Sequence, residues 1–145
     1  MKRLLLAAAL LASTAVAATA ADRMVTDEMT KAECAACHIA YPPRLLPAAN
    51  WEAVMAGLQD HFGEVASLDD ASVAHIRDYL VANAGKDDPT AVDAEGKPLL
   101  RISERRWFVG EHKGEVSEAS LKKAGTWANC VACHKGAEKG QFDDD

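Results

Sequence analysis

No stretch of this sequence alternates apolar and polar residues as a half-buried strand does, which argues against a substantial sheet. Basic residues are also few, since 16 Lys and Arg stand against 22 Asp and Glu and the formal net charge is −6. Such a surface suits neither nucleic acid nor anionic lipid, whereas a basic patch on another protein would fit it. The N-terminal apolar run is a poor membrane span, because Ser13, Thr14 and many alanines weaken it.

That N-terminal run has the features of a secretory signal peptide. Two basic residues precede the apolar segment Leu4–Leu11, and small residues follow it. We expect residues 1–21 to be removed by a cut near Ala20 and Ala21, and the mature chain to reach the periplasm. An uncleaved anchor is the alternative. Residues 22–145 then form a single domain with a net charge of −8.

The clearest chemical signal is the pattern C-x-x-C-H, which is the attachment sequence for a c-type haem. It occurs twice, at Cys34, Cys37 and His38 and again at Cys130, Cys133 and His134. On a helical turn, positions i, i+3 and i+4 share one face, so both thiols can reach one porphyrin while the imidazole reaches its iron. The motifs use all four cysteines and leave none for a disulfide. The sequence therefore predicts two covalently bound haems.

A zinc site or a dithiol redox motif is the competing interpretation of each C-x-x-C pair. Structural zinc ribbons usually separate their two pairs by about 15–20 residues. Here the interval from Cys37 to Cys130 is several times longer, and His follows each pair directly. We therefore favour haem.

Apolar residues recur at helical spacings, so we predict an all-α fold with long loops and with the two haems forming much of the core. A short helix capped by Thr26 or Asp27 is expected to carry the first motif, and Asn50 is expected to cap a helix that ends at Gly63. Ser67, with Asp70 three residues later, resembles the capping box that begins a helix.

We divide the domain into a first haem half at about 22–85, a polar linker at about 86–98 and a second haem half at about 99–145. The proline-rich segment after the first motif is expected to be an extended loop along the first porphyrin. Side chains predicted to pack on the haems are Tyr41, Pro43, Leu46, Trp51, Phe62, Trp107 and Phe108.

His38 and His134 supply one axial ligand to each iron, and the sixth ligands must come from elsewhere in the chain. Three histidines remain, at His61, His75 and His112. His75 lies on an amphipathic helix, where a histidine at the edge is the better interpretation.

Methionine is the competing ligand type, but Met55 has the spacing of a core residue and no Met follows either motif where a class I monohaem cytochrome would place it. We therefore predict bis-histidine ligation, with His61 on the first iron and His112 on the second. A crossed arrangement is the alternative.

These motifs together resemble the small dihaem cytochromes c of the DHC type. The resemblance rests on the two haem motifs, on Tyr41-Pro42-Pro43-x-Leu45-Leu46-Pro47, Trp51 and His61-Phe62-Gly63-Glu64, and on Arg101-Ile102-Ser103, Trp107-Phe108, His112 and Gly136-Ala137-Glu138. It implies a periplasmic electron-transfer protein with two low-spin, bis-histidine haems. It also implies possible partners, namely a monohaem oxygen-binding cytochrome c and a membrane cytochrome b.

Electron carriage is the function that we favour, since six-coordinate irons can change oxidation state but offer no open position to a substrate. The alternatives are a dihaem peroxidase-like catalyst and a redox or ligand sensor. Each of these needs one open or displaceable axial position, and the catalyst also needs acid–base groups beside it.

Overall fold

The computed structural model describes residues 24–142, so the predicted signal peptide lies outside the described residues. Five α-helices follow one another in this range, at Glu28–Cys34 (α1), Ala48–Ala56 (α2), Asp70–Ala82 (α3), Arg106–His112 (α4) and Glu118–Ala124 (α5). Short 3-10 turns occur at Pro43–Leu45, Leu58–Asp60, Ile102–Glu104, Cys130–Ala132 and Ala137–Lys139. Residues 24–142 contain isolated β-bridges but no strand. The predicted all-α fold is confirmed.

Side-chain caps determine where α1 and α3 begin. The Asp27 carboxylate accepts a hydrogen bond of 2.8 Å from the Thr30 N–H group. The Asp69 carboxylate accepts from the Ala71 and Ser72 N–H groups, each at 3.1 Å. The predicted cap at Ser67 is therefore wrong, because Asp69 satisfies the first free N–H groups of α3.

Other expectations about helices are also wrong, and α2 ends at Ala56 rather than at Gly63. Helix α1 ends at Cys34, so Cys37 and His38 lie in the turn that follows it and not on the helix. Asn50 lies inside α2 rather than at its start, and its buried amide donates to the Ala91 and Leu99 carbonyls at 2.8 and 2.7 Å. Asn50 therefore does not cap a helix, and its hydrogen bonds instead hold a distant part of the chain against α2.

The first half has a protein core of its own, in which α2 packs on α3. Its buried side chains are Leu46, Trp51, Val54, Met55, Ile76 and Leu80. Polar contacts hold the start of α1 against α3. The Thr26 N–H donates to the Tyr79 hydroxyl at 2.8 Å, and the Asp27 carboxylate lies 3.0 Å from His75 Nε2.

The segment between the halves is polar in sequence, yet it is fastened to both of them. Ala91 is buried, and its carbonyl accepts from Asn50 on α2. Asp88 pairs with the buried Arg105 just before α4, with 2.7 Å between Oδ2 and Nη2. The Arg105 Nε and Nη1 atoms have no hydrogen-bond partner among the described residues, so Asp88 is the group that offsets the burial of this charge.

The second half buries far less apolar surface. Between Leu99 and Phe142, Phe108 and Ala137 are the buried apolar side chains. Large apolar side chains there remain between 38% and 41% exposed, namely Trp107, Val109, Trp127 and Val131. No helix within residues 24–142 is long and apolar enough to cross a membrane.

Candidate functional site

The fold brings the histidines together as two pairs. The His38 and His61 ring centroids are 6.2 Å apart, and those of His112 and His134 are 6.0 Å apart. This is the pairing of the simple assignment, in which each C-x-x-C-H histidine faces one from its own half of the chain. Between residues 24 and 142, no three His, Cys, Asp or Glu side chains gather as a site for a bare metal ion.

At the first pair, His38 is held from two sides. Its Nδ1 lies 2.7 Å from the Ile39 carbonyl oxygen. Because a carbonyl only accepts, Nδ1 carries the proton and the Nε2 lone pair is left for a metal. The Tyr41 ring stacks on the imidazole, with centroids 4.6 Å apart and planes 17° from parallel.

His61 reaches its position through a tight turn rather than from a helix. The His61 N–H donates to the Glu64 carbonyl at 2.7 Å, and the Glu64 N–H returns a bond of 3.3 Å. The two residues between them, Phe62 and Gly63, have φ of 60° and 97°, as a two-residue type I′ turn requires. Such a conformation is uncommon for Phe, so this turn stores backbone strain beside the site.

The surroundings of His61 favour its neutral form. Burial lowers the pKa of His61, and the nearby charges of His38 and Arg101 lower it further. The Arg101 guanidinium also lies 3.9 Å above the Phe62 ring, where it covers the turn. A neutral imidazole is the form that ligates a metal.

At the second pair, His112 is the last residue of α4 and is fixed by its own helix. Its Nδ1 lies 2.9 Å from the Phe108 carbonyl, which leaves Nε2 free as in His38. The Phe108 ring stacks on it with centroids 3.9 Å apart, and Trp127 lies edge-on at 5.9 Å. These three side chains line a cavity of about 290 Å³.

The spacing of both pairs fits an iron between them. A metal–nitrogen bond is about 2 Å and an imidazole nitrogen lies about 1.1 Å from its ring centroid, so two axial imidazoles have centroids about 6 Å apart. The observed 6.2 and 6.0 Å agree with this geometry. The donor set therefore fits a haem at each pair.

The four cysteines of the two motifs differ in exposure. Cys34 and Cys130 are partly buried, whereas Cys37 and Cys133 are exposed. Burial raises the pKa of the Cys34 thiol and of the Cys130 thiol.

One side chain connects the two sites directly. The Tyr41 hydroxyl donates a 2.6 Å hydrogen bond to the carbonyl of Ala128, two residues before Cys130. Burial, together with the charge of Cys130, raises the pKa of Tyr41 to about 12, so the hydroxyl keeps its proton at neutral pH. Tyr41 thus contacts His38 with its ring and the second motif with its hydroxyl.

The other side chains predicted to pack on haem have varied environments. Leu46 and Trp51 lie in the core between α2 and α3. The Trp51 Nε1–H donates to the carbonyl oxygen of the buried Pro43 at 2.6 Å. Phe108 is buried against His112. Phe62 and Trp107 are 42% and 40% exposed. Contact of this set with haem stays a prediction.

The competing ligand candidates have other contacts. The His75 side chain is 48% exposed and pairs with Asp27. Met55 is buried in the α2–α3 core.

Sequence reasoning missed the roles of Trp127 and Arg101. Trp127 stands three residues before Cys130, so an aromatic residue beside the motif was an available signal. Nothing local relates Arg101 to Phe62, because the two are 39 positions apart in the sequence and only the fold brings them together.

Comparison with known proteins identifies the family. The family model described as dihaem cytochrome c matches residues 30–142. The chain belongs to the dihaem cytochrome c family. Family membership means that the protein carries two c-type haems with iron, and it decides against the zinc interpretation of the cysteine pairs.

Solved structures agree with this assignment. A diheme cytochrome c from Rhodobacter sphaeroides is 51% identical, with a TM-score of 0.74 over 82% of this chain and 98% of that one. A structure of DHC purified from Rhodobacter sphaeroides is 55% identical, with a TM-score of 0.72 over 82% and 99%. The diheme cytochrome sb-DHC from Shewanella baltica OS155 is 38% identical, with a TM-score of 0.67 over 80% and 86%. No functionally curated protein matches the sequence.

Proposed function

We propose that this dihaem cytochrome c is a periplasmic electron carrier whose two irons each have two histidine ligands. The observation that carries the proposal is the spacing of the two imidazole pairs, 6.2 and 6.0 Å between centroids. His38 and His61 would ligate the first iron, and His134 and His112 the second. Each haem, when bound, supplies an iron that takes up and gives back one electron.

The chain's own residues explain why this suits a carrier. The Nδ1 hydrogen bonds of His38 and His112 to backbone carbonyls fix both rings with Nε2 directed away from the backbone. With imidazole on both faces, the irons would have no axial position left for a substrate or peroxide. Bis-histidine ligation also gives a lower reduction potential than a His/Met pair would.

The cysteines would attach the haems covalently, Cys34 and Cys37 the first and Cys130 and Cys133 the second. Intact mass spectrometry of protein recovered from the periplasm tests both attachment and export. We expect a chain that starts near Ala21 or Asp22 and carries two haem masses. A single haem mass, or an intact N-terminus, would contradict the respective part of the proposal.

Ligand variants test the axial assignment. His61→Ala and His112→Ala should each make one iron high-spin and leave the other low-spin in magnetic circular dichroism. His75→Ala is the matched control, since this histidine pairs with Asp27, and it should leave both irons low-spin. A wild-type protein that is largely high-spin when reduced and binds carbon monoxide at both irons would overturn the electron-carrier proposal.

For partners we propose a monohaem oxygen-binding cytochrome c and a membrane cytochrome b. The acidic surface favours partners that present basic patches, and contacts of this kind weaken as salt screens them. Stopped-flow oxidation of the reduced protein by each candidate should slow as ionic strength rises. A rate that does not change with salt would contradict docking by opposite charge.

A further inference from the structure

The two histidine pairs differ in the relative orientation of their rings. The planes of His38 and His61 are 29° apart, whereas those of His112 and His134 are 82° apart. The centroid distances are nearly equal, so the contrast lies in rotation and not in spacing. One pair is therefore close to parallel and the other close to perpendicular.

Three contacts fix the His112 ring. Its Nδ1–H donates to the Phe108 carbonyl at 2.9 Å, and the Phe108 ring is stacked on it within 10° of parallel. Trp127 stands at 84° to the imidazole and at 89° to the Phe108 ring, with both centroid distances 5.9 Å. Rotation of His112 about its Cβ–Cγ bond would break the hydrogen bond and turn the ring edge toward the stacked Phe108 ring.

The first pair has a different arrangement of supports. Tyr41 stacks on His38 within 17° of parallel, and the Ile39 carbonyl accepts from its Nδ1. His61 contacts the Phe62 ring at 4.7 Å with the planes 56° apart. No aromatic ring among the described residues stacks on His61 as Phe108 stacks on His112.

Ring orientation matters because the π system of each axial imidazole interacts with one of the two iron dπ orbitals. The orbital that it selects is the one whose lobes lie toward the ring normal. Parallel rings act on the same orbital and separate the two d orbitals of this type in energy. Perpendicular rings act on one orbital each and leave the two nearly equal. The protein sets this property through the groups that orient the ligands.

We propose that Phe108 and Trp127 are positioning residues that hold His112 perpendicular to His134 and so make the second iron electronically distinct from the first. The inference rests on the bis-histidine ligation proposed above. It assigns a role to two aromatic side chains that touch the ligand.

Electron paramagnetic resonance of the fully oxidised holoprotein tests the inference. We expect two low-spin signals of equal intensity. One should be rhombic with three resolved features, from the near-parallel pair, and the other should be highly anisotropic with a single resolved low-field feature, from the perpendicular pair. Two rhombic low-spin signals would overturn this inference and leave the ligand assignment standing. A high-spin signal at either iron would overturn the ligand assignment itself.

Variants then locate the cause. Trp127→Leu removes the flat edge beside His112 and should shift the anisotropic signal toward the rhombic type, while the first iron's signal in the same sample stays unchanged. Trp127→Phe keeps an aromatic edge and should retain the wild-type spectrum. An anisotropic signal that survives in Trp127→Leu and in Phe108→Leu would show that these residues do not orient the ligand.

Discussion

Asn50 shows how much one buried side chain contributes at the scale of a residue. We expect Asn50→Ala to lower the free energy of unfolding by about 2 kcal/mol, because the Leu99 carbonyl loses its amide donor while the Ala91 carbonyl keeps the Leu99 N–H. Chemical denaturation followed by helical circular dichroism measures this.

Asn83→Ala is the matched control for that substitution. The Asn83 amide donates to the Tyr79 carbonyl at 2.8 Å on an exposed part of the chain, and the Asn83 N–H donates to the same oxygen. Its loss should cost under about 0.5 kcal/mol. Equal losses in the two variants would show that Asn50 does not hold the linker.

The Tyr41 hydroxyl is a second group that bonds to a part of the chain distant in sequence. Tyr41→Phe keeps the ring on His38 but removes the bond to Ala128, so we expect a loss of about 1 kcal/mol. Amide hydrogen exchange should become faster around residues 126–134.

Tyr79→Phe removes the chain's other phenol and is the natural comparison for Tyr41→Phe. Its hydroxyl accepts from the Thr26 N–H, so faster exchange is expected near the start of α1 and not near the second motif. Identical exchange patterns in the two variants would contradict a specific link between the haem sites.

Individual residues also show which parts of the structure could be predicted from the sequence and which could not. The C-x-x-C-H motifs and the pairing of neighbouring histidines depend on local spacing, which a sequence displays directly. The position of Asn50 does not, since its partners lie about 40 or more residues away and a polar residue before an apolar run looks like a cap. The turn at Phe62 was equally hidden, because a left-handed Phe runs against ordinary backbone preference.

At the scale of elements, the cap of α1 makes stability depend on pH. Hydrogen bonds from Thr30, first from its N–H and then from its hydroxyl, and the contact with His75 lower the pKa of Asp27 from 3.8 to about 2. A carboxyl with a depressed pKa stabilises the folded state above its unfolded pKa, and this stabilisation is lost as the pH falls from about 4 to about 2.

Asp27→Asn isolates that dependence, because Asn can still cap a helix but carries no charge. We expect the wild type to have the higher melting temperature at neutral pH, and the difference between the two proteins to disappear near pH 2. Thermal unfolding at a series of pH values measures it. A difference that persists unchanged into acid would contradict the role of the charge.

Gly85, which follows α3, lies so close to the proline-rich loop that there is no room for a side chain at this position. A Cβ at Gly85 would clash with the Arg44 carbonyl oxygen, and the Gly85 N–H donates to the Leu46 carbonyl at 2.8 Å. Gly85→Ala should therefore cost about 1–3 kcal/mol.

Gly57→Ala supplies the control for Gly85→Ala. The nearest atoms to its added Cβ would be 3.6 Å away, which is ordinary contact, so a change within about 0.5 kcal/mol is expected. Denaturation midpoints of the two variants decide the matter. A Gly85→Ala protein as stable as the wild type would show that the loop can move aside.

For the whole molecule, the two halves differ in what holds them together. The first half has the α2–α3 core, whereas the described part of the second half buries Phe108 and Ala137 and leaves larger side chains exposed around His112. We expect the double variant Cys130→Ser, Cys133→Ser to lose most amide protection between residues 99 and 142. The first haem should remain low-spin.

The reciprocal variant Cys34→Ser, Cys37→Ser tests the asymmetry. Helices α2 and α3 should keep part of their exchange protection in this protein, because their contacts are between side chains. Complete loss of protection in both halves of either variant would mean that the molecule unfolds as one unit.

The uneven distribution of buried side chains bears on how the molecule is made. Residues 24–85 can assemble α1, α2 and α3 with contacts present among themselves, and this places His61 against His38. The later segment has little of its own to collapse around. We therefore expect the first site to form without the second haem, with Tyr41 already in place to bind the Ala128 carbonyl when the second half folds around its own haem.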